Sequence, residues 1–73
     1  MNTIQPGDHV LARAANGDLL ERRAITEPVA GDDFRVVWVC TEDEWLDAEA
    51  ESREPDGIPW PAGDVRAAEH VPA

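Results

Sequence analysis

The densest group of ionisable side chains in this sequence lies between Glu42 and Asp56, where eight carboxylates accompany a single cation, Arg53. Carboxylates at this density could bind a divalent cation or attract a positively charged partner. The stretch lacks the Asp-x-Asp-x-Asp-Gly pattern of a calcium loop, and a helix would spread its carboxylates around a cylinder. The sequence therefore favours recognition of a basic partner over a metal site, with a merely solvating helix face as the alternative.

Cysteine and histidine supply the remaining reactive groups. Cys40 is the single cysteine, and it has no basic neighbour in sequence to stabilise a thiolate, which is typical of a small buried apolar residue. His9 and His70 come from opposite ends of the chain, and a metal held by both would need further ligands. No glycine-rich phosphate loop or Ser-His-Asp order is visible. We therefore expect no enzymatic activity, no cofactor and no metal.

Length and charge limit the class of protein. The chain has 73 residues, enough for one domain spanning 1–73, and it carries 16 acidic residues against six arginines, for a net charge of −10. A polyanionic ligand is repelled by this charge, so direct nucleic-acid binding is not expected. No apolar run could cross a bilayer, and one cysteine suits a reducing compartment. We expect a cytoplasmic protein with no membrane contact.

The first half of the chain predicts antiparallel strands. Pro6-Gly7-Asp8 is a turn signature that leads into a strand over 9–13. Asn16-Gly17 predicts a hairpin with a two-residue type I′ turn, so that a second strand over 19–27 returns antiparallel until Pro28 interrupts it.

The next run, residues 34–40, is the most β-prone in the chain and predicts a central strand. Alternation places Phe34, Val36, Trp38 and Cys40 on one face and Val37 and Val39 on the other. Both faces are apolar, so we expect both to be covered. All three tryptophans are predicted to serve the core, Trp45 and Trp60 being the pair expected to remain partly exposed.

Thr41 and Glu44 fit a capping box, which predicts a helix over about 42–53. The predicted inward stripe contains Trp45, Ala48 and Ser52, with Leu46 and Ala50 alongside, and the acids Asp47, Glu49 and Glu51 face water. Glu54-Pro55-Asp56-Gly57 ends the helix. Residues 58–61 then form an extended edge segment with two prolines, 62–66 turn into a last short strand, and 68–73 are expected to fray.

The ends of the chain, Pro6 to Arg13 and Trp60 to Val65, resemble SH3-like small barrels of the KOW, Tudor and PWWP kind, in which a Pro-Gly-Asp turn opens the first strand and a Trp-Pro-Ala-x-Asp-Val segment closes the barrel. The resemblance implies a mainly β, five-stranded barrel, here with one helix inserted before the closing strand. The chain is also similar to short acidic proteins of high-GC bacteria and their phages. It departs from nucleic-acid-binding barrels in lacking a basic surface.

These observations predict a non-catalytic interaction or regulatory module that binds a basic protein. The predicted binding residues are the outward acids of the helix with the tryptophans beside them, namely Trp45, Asp47, Glu49, Glu51, Glu54 and Trp60. One alternative is a DNA-mimic inhibitor of a nucleic-acid-binding protein, which would need carboxylates in a row at phosphate-like intervals. Another is a structural subunit that forms oligomers through an exposed edge strand, either 58–61 or 19–27.

Overall fold

The structure, a computed structural model, describes residues 4–68. The elements follow in the order β1 (His9–Arg13), β2 (Leu19–Ala24), β3 (Val29–Ala30), β4 (Arg35–Cys40), α1 (Glu42–Ala50), β5 (Ile58–Pro61), a 3₁₀ turn (Ala62–Asp64) and β6 (Val65–Ala67). Of the C-terminal segment predicted to fray, Ala68 is held by a 2.9 Å bond from its N–H to the carbonyl of His9, and 69–73 lie outside the described residues.

All strand pairs are antiparallel, and they form a curled half-barrel that stays open. The sheet runs β6-β1-β2-β4-β5, and β3 pairs with the same edge of β4 as β2 does. The predicted barrel is therefore open, and its sheet has six strands instead of the predicted five. The predicted strand over 19–27 ends at Ala24, although the Ile25 N–H still donates to the Trp38 carbonyl at 2.7 Å. Regular pairing with β4 resumes at Val29, after Pro28, which has no N–H to offer the ladder.

The core lies on the inner face of the half-barrel and consists of small side chains. Register places Ala12 opposite Val65 and Ala24 opposite Val39, so these four side chains point inward together. The full buried cluster is Ile4, Val10, Ala12, Ala24, Val37, Val39 and Val65, with Trp60 and Ala62 packed against it. Each fully buried valine contributes roughly 1.5 to 2 kcal/mol of apolar burial, so the core is modest.

The outer face of β4 is only partly covered. Val37 and Val39 point into the core, and Cys40 at the end of the strand is also buried. Phe34 and Trp38 remain 57% and 39% exposed. The predictions that this face is covered and that Trp38 belongs to the core are therefore wrong. The reason is that α1, which follows Thr41, packs mainly against β2 and leaves the outer face of β4 open.

The two turns predicted in the first half of the chain are both present. Asp8 N–H donates to the Gln5 carbonyl at 3.0 Å and Gly7 has a φ of +91°, which confirms the predicted turn at 6–8. The hairpin at 14–18 is confirmed as well, but its turn type differs. Only Gly17 has a positive φ there, and its N–H donates to the Ala14 carbonyl at 2.9 Å. This is a type I turn followed by a left-handed glycine, not a type I′ turn.

The helix begins where predicted, since Thr41 Oγ1 accepts a bond of 3.1 Å from the N–H of Glu44. It ends at Ala50, three residues before the predicted 53, because Ser52 takes a left-handed φ of 53°. The N–H of Arg53 then donates to the Ala48 carbonyl at 3.0 Å, which closes the C-terminus in a Schellman arrangement.

The buried side of α1 is narrower than the sequence predicts. Ala48 is buried and Trp45 is half-buried, whereas Leu46 is 50% exposed and Ala50 is also exposed. At about 100° per residue, Leu46 and Ala50 lie more than a quarter-turn from the midpoint of Trp45 and Ala48, so a helix resting on one side of a small sheet cannot bury both pairs.

Candidate interaction surface

Arg23 fastens the start of α1 to the sheet. Its guanidinium donates to both carboxylate oxygens of Glu42, at 2.7 and 3.1 Å, and to the Gly7 carbonyl at 2.9 Å. The same group stands 5.5 Å from the centre of the Trp45 ring, within cation–π range. The hydrogen bond from Arg23 lowers the pKa of Glu42 below its ordinary value. Trp45 therefore faces the sheet, and one carboxylate of the acidic run is neutralised.

Arg53 forms a second ion-pair cluster where the helix ends. It donates to Glu44 at 2.6 Å and to Glu51 at 3.3 Å. The N–H of Asp56 also donates to Glu44, at 2.9 Å, so this carboxylate joins the helix to the segment before β5. These bonds, that of Arg53 first, lower the pKa of Glu44, and the pKa of Arg53 rises in turn. Glu44 therefore does not complete the predicted capping box with Thr41.

The carboxylates left over define an outward surface on α1. Asp43, Asp47 and Glu49 are exposed, and no ion pair involves them within residues 4–68. Asp43 and Asp47 are four residues apart and therefore lie one above the other, with Leu46 and Ala50 beside them. We name this surface the acidic helix face and define it as Asp43, Leu46, Asp47, Glu49 and Ala50, with Glu49 at its margin, since Glu49 lies nearly half a turn from Asp47 around the helix axis.

The residues predicted to bind a partner do not form one surface. Asp47 and Glu49 belong to the acidic helix face, Glu51 pairs with Arg53, and Glu54 lies exposed beyond the helix. Trp45 and Trp60 lie on different faces of the sheet, Trp45 beside Arg23 on the outside and Trp60 against the core. Asp43 and Leu46 lie on the acidic helix face but were not among the predicted residues, although the four-residue spacing of Asp43 to Asp47 and of Leu46 to Ala50 indicated a shared face.

Trp60 instead links the two sides of the half-barrel. Its Nε1 donates to the carbonyl of Arg13 at 2.9 Å, joining β5 to the end of β1. It also lines a shallow groove of about 260 Å³ together with Ile58 and Val39, and Arg22, Glu44 and Asp56 lie at this groove too. Burial, followed by the charge of Glu44, raises the pKa of the Cys40 thiol in the same groove, which favours the neutral thiol.

Three further findings bear on function. In the part of the chain that the structure describes, no helix has the length and apolar character to cross a membrane. Within those same residues, no three or more His, Cys, Asp or Glu side chains are grouped so as to hold a metal ion, and His70 lies outside them. Comparisons with protein-family models, curated proteins and solved structures found no match.

Proposed function

We propose that this protein is a non-catalytic interaction module that binds a basic segment of another protein through the acidic helix face. The observation that carries the proposal is the division of the acidic run. Glu42 and Glu44 are held by arginines, whereas Asp43, Asp47 and Glu49 have no such partner among the described residues and point to solvent. Unpaired charge gathered on one short helix costs self-repulsion, and a basic partner would relieve it.

The apolar residues on this face add a short-range contribution. Leu46 is half exposed beside Asp43 and Asp47, so a partner that covers it would bury apolar area next to these acids. The net charge of −10 would steer a basic segment toward the protein and raise the association rate. The partner that fits is a cationic segment carrying at least one apolar side chain.

The clusters around Arg23 and Arg53 support this function because they fix both ends of α1. A helix that is already ordered loses little conformational entropy when it binds. Glu42 and Glu44 therefore have a supporting role, and removing them would disturb the helix itself. A test of binding should alter the outward acids alone.

The experiment is affinity capture from a lysate of the source cell with the triple variant Asp43→Asn, Asp47→Asn, Glu49→Gln. A matched control removes three exposed charges elsewhere, as Glu27→Gln, Asp32→Asn, Asp33→Asn. We expect the helix variant to lose its captured partner, the control to keep it, and capture by the natural chain to weaken at least tenfold between low and high salt. Equal capture by both variants, or capture indifferent to salt, would contradict the proposal.

The DNA-mimic alternative receives less support from the arrangement of the acids. Glu42 turns toward Arg23, while Glu44 and Glu51 turn toward Arg53. Asp43 and Asp47 remain on one line about 6 Å apart along the helix axis, compared with a rise of about 3.4 Å per phosphate on a DNA strand. Because the carboxylates point in several directions and do not form a regular row, a basic protein segment fits better than a DNA-binding surface.

We also propose that the half-barrel is of the SH3-like kind and that the protein is cytoplasmic. The support for the fold is that β2 and β3 pair with the same edge of β4. Counted as one strand interrupted at 25–28, they give the sheet five strand positions, the number the resemblance implies. A buried Cys40 without a disulfide partner among the described residues fits a reducing compartment.

A further inference from the structure

The outer face of β4 and β5 forms a continuous apolar surface away from the acidic helix face. Register places Trp38 opposite Pro59 and Val36 opposite Pro61, and Val29 of β3 lies opposite Val36 on its other side. Directly opposed residues of antiparallel strands have Cβ atoms about 4.5 to 5.5 Å apart, so these five side chains touch or nearly touch. Phe34, two residues before Val36 and just outside β4, adds an exposed aromatic ring at the start of this strand. We name these six residues the apolar sheet face.

Much of this face is open to solvent. Phe34, Trp38 and Pro59 are exposed, and Val36, Pro61 and Val29 are half-buried. Single exposed apolar residues are ordinary, but a contiguous group with two aromatic rings on so small a domain marks a contact surface. The core has only valines as its largest fully buried side chains, so the fold leaves two of its four aromatic residues outside.

We propose that a second copy of this chain occupies the apolar sheet face, so that two half-barrels meet outer face to outer face. None of its six residues is charged, so two copies can join without burying an unpaired charge. A basic or acidic partner would gain no counter-charge here, whereas the same face on another copy is an uncharged match. A twofold axis makes such a contact self-complementary and closed.

A dimer formed by pairing a strand of the second copy with the open edge of β5 would be less stable. Because β5 is paired with β4, its ladder donors are Ile58 and Trp60, and the alternate positions face the open edge. Those positions are Pro59 and Pro61, which have no N–H, so a further strand would find no donor there. Of the two contacts available to β5, its outer face is therefore the one that fits a second copy.

The assembly has a salt dependence opposite to that of the proposed partner binding. Each copy has a net charge of −10, so two copies repel one another at low salt and associate more strongly when salt screens the charge. Binding of a basic segment weakens over the same range. The inference is independent of the proposed function, and the two can fail separately.

The test is sedimentation equilibrium of the full chain from micromolar to near-millimolar concentration, at low and at high salt. We expect the average mass to rise from that of one chain toward that of two, and to do so at lower concentration in high salt. Trp38→Thr and Phe34→Ser should each raise the dimer dissociation constant at least about tenfold, a loss of about 1.4 kcal/mol. Leu46→Ser is the matched control, since it removes a similarly exposed apolar residue from α1.

A one-dimensional NMR spectrum of each variant shows whether it is folded, and Phe34→Ser, outside the strands, keeps the test usable if Trp38→Thr is not. A mass of one chain at the highest concentration in high salt would overturn the proposal. A dimer that tolerates both substitutions, or one that Leu46→Ser weakens equally, would assign the contact to another surface and overturn it too.

Discussion

Ser52 has a backbone conformation that ordinarily belongs to glycine. Its φ of 53° lies in the left-handed region, where a side chain costs roughly 1 to 2 kcal/mol. The position follows the helix cap and lets the N–H groups of Ser52 and Arg53 reach the carbonyls of Glu49 and Ala48, at 3.2 and 3.0 Å. The chain thus accepts local strain in order to end α1 there and bring Arg53 back to Glu44.

We predict that Ser52→Gly raises the free energy of unfolding by about 0.5 to 1 kcal/mol, since the strain it removes exceeds the added entropy of glycine in the unfolded chain. Urea unfolding measures the change. Ala50→Gly, one residue before the cap and within α1, is the control and should lower stability by up to about 1 kcal/mol. Equal losses in both variants would show that the left-handed conformation carries no strain.

At the scale of the element, α1 is held by limited apolar burial together with ion pairs. Ala48 is its one fully buried residue, Trp45 is half-buried beside Arg23, and two arginines bind its carboxylates. Glu44 is the central acceptor, since it joins Arg53 and the N–H of Asp56. The attachment of the helix to the segment before β5 should therefore depend on the ionisation of this carboxylate.

We predict that Glu44→Gln lowers stability at neutral pH and flattens its fall in acid. The pKa of Glu44 is lowered in the folded protein from its ordinary 4.5, so its contribution is complete above that value and is lost as the pH falls through the folded pKa. Thermal unfolding between about pH 7 and pH 3 measures both effects. Asp47→Asn, at an exposed acid without an ion pair among residues 4–68, is the matched control and should lower stability at neutral pH by less than Glu44→Gln does. If the two variants behave alike, the ion-pair cluster does not stabilise the helix.

At the scale of the molecule, the open half-barrel depends on Trp60 as a tie between its two ends. β5 and β6 are not paired with one another in the described part of the chain, and the bond from Trp60 Nε1 to the Arg13 carbonyl spans from β5 to β1. The ring also packs against the core cluster. A single side chain thus provides part of the closure that strand pairing provides in a closed barrel.

We predict that Trp60→Phe lowers the free energy of unfolding by about 1 to 2 kcal/mol, because it removes this donor and part of the apolar contact. Trp38→Phe makes the same chemical change on the apolar sheet face, where it should cost less than about 0.5 kcal/mol in dilute solution. Chemical unfolding of both variants gives the comparison. An equal loss of stability at positions 38 and 60 would mean that the bond from Trp60 to the Arg13 carbonyl does not stabilise the half-barrel.

The features that were predicted correctly from the sequence arise from local interactions. The turn at 6–8, the hairpin around Gly17 and the cap at Thr41 all follow from bonds between residues at most four apart. Errors arose where the choice was not local. Both faces of residues 34–40 are apolar, so the alternation could not show which face would point into the core. Trp38 was therefore wrongly predicted to be a core residue.

The sequence by itself determined a small mainly β domain, its turns, the start of an acidic helix and a net charge of −10. The tertiary structure alone decided which acids remain free, because Arg23 reaches Glu42 across 19 positions and Arg53 reaches Glu44 across nine. It also placed Trp45 and Trp60 on opposite faces of the sheet. The physical reason is that local propensities act between near neighbours, whereas charge pairing and burial depend on which distant segments share the limited surface of one small sheet.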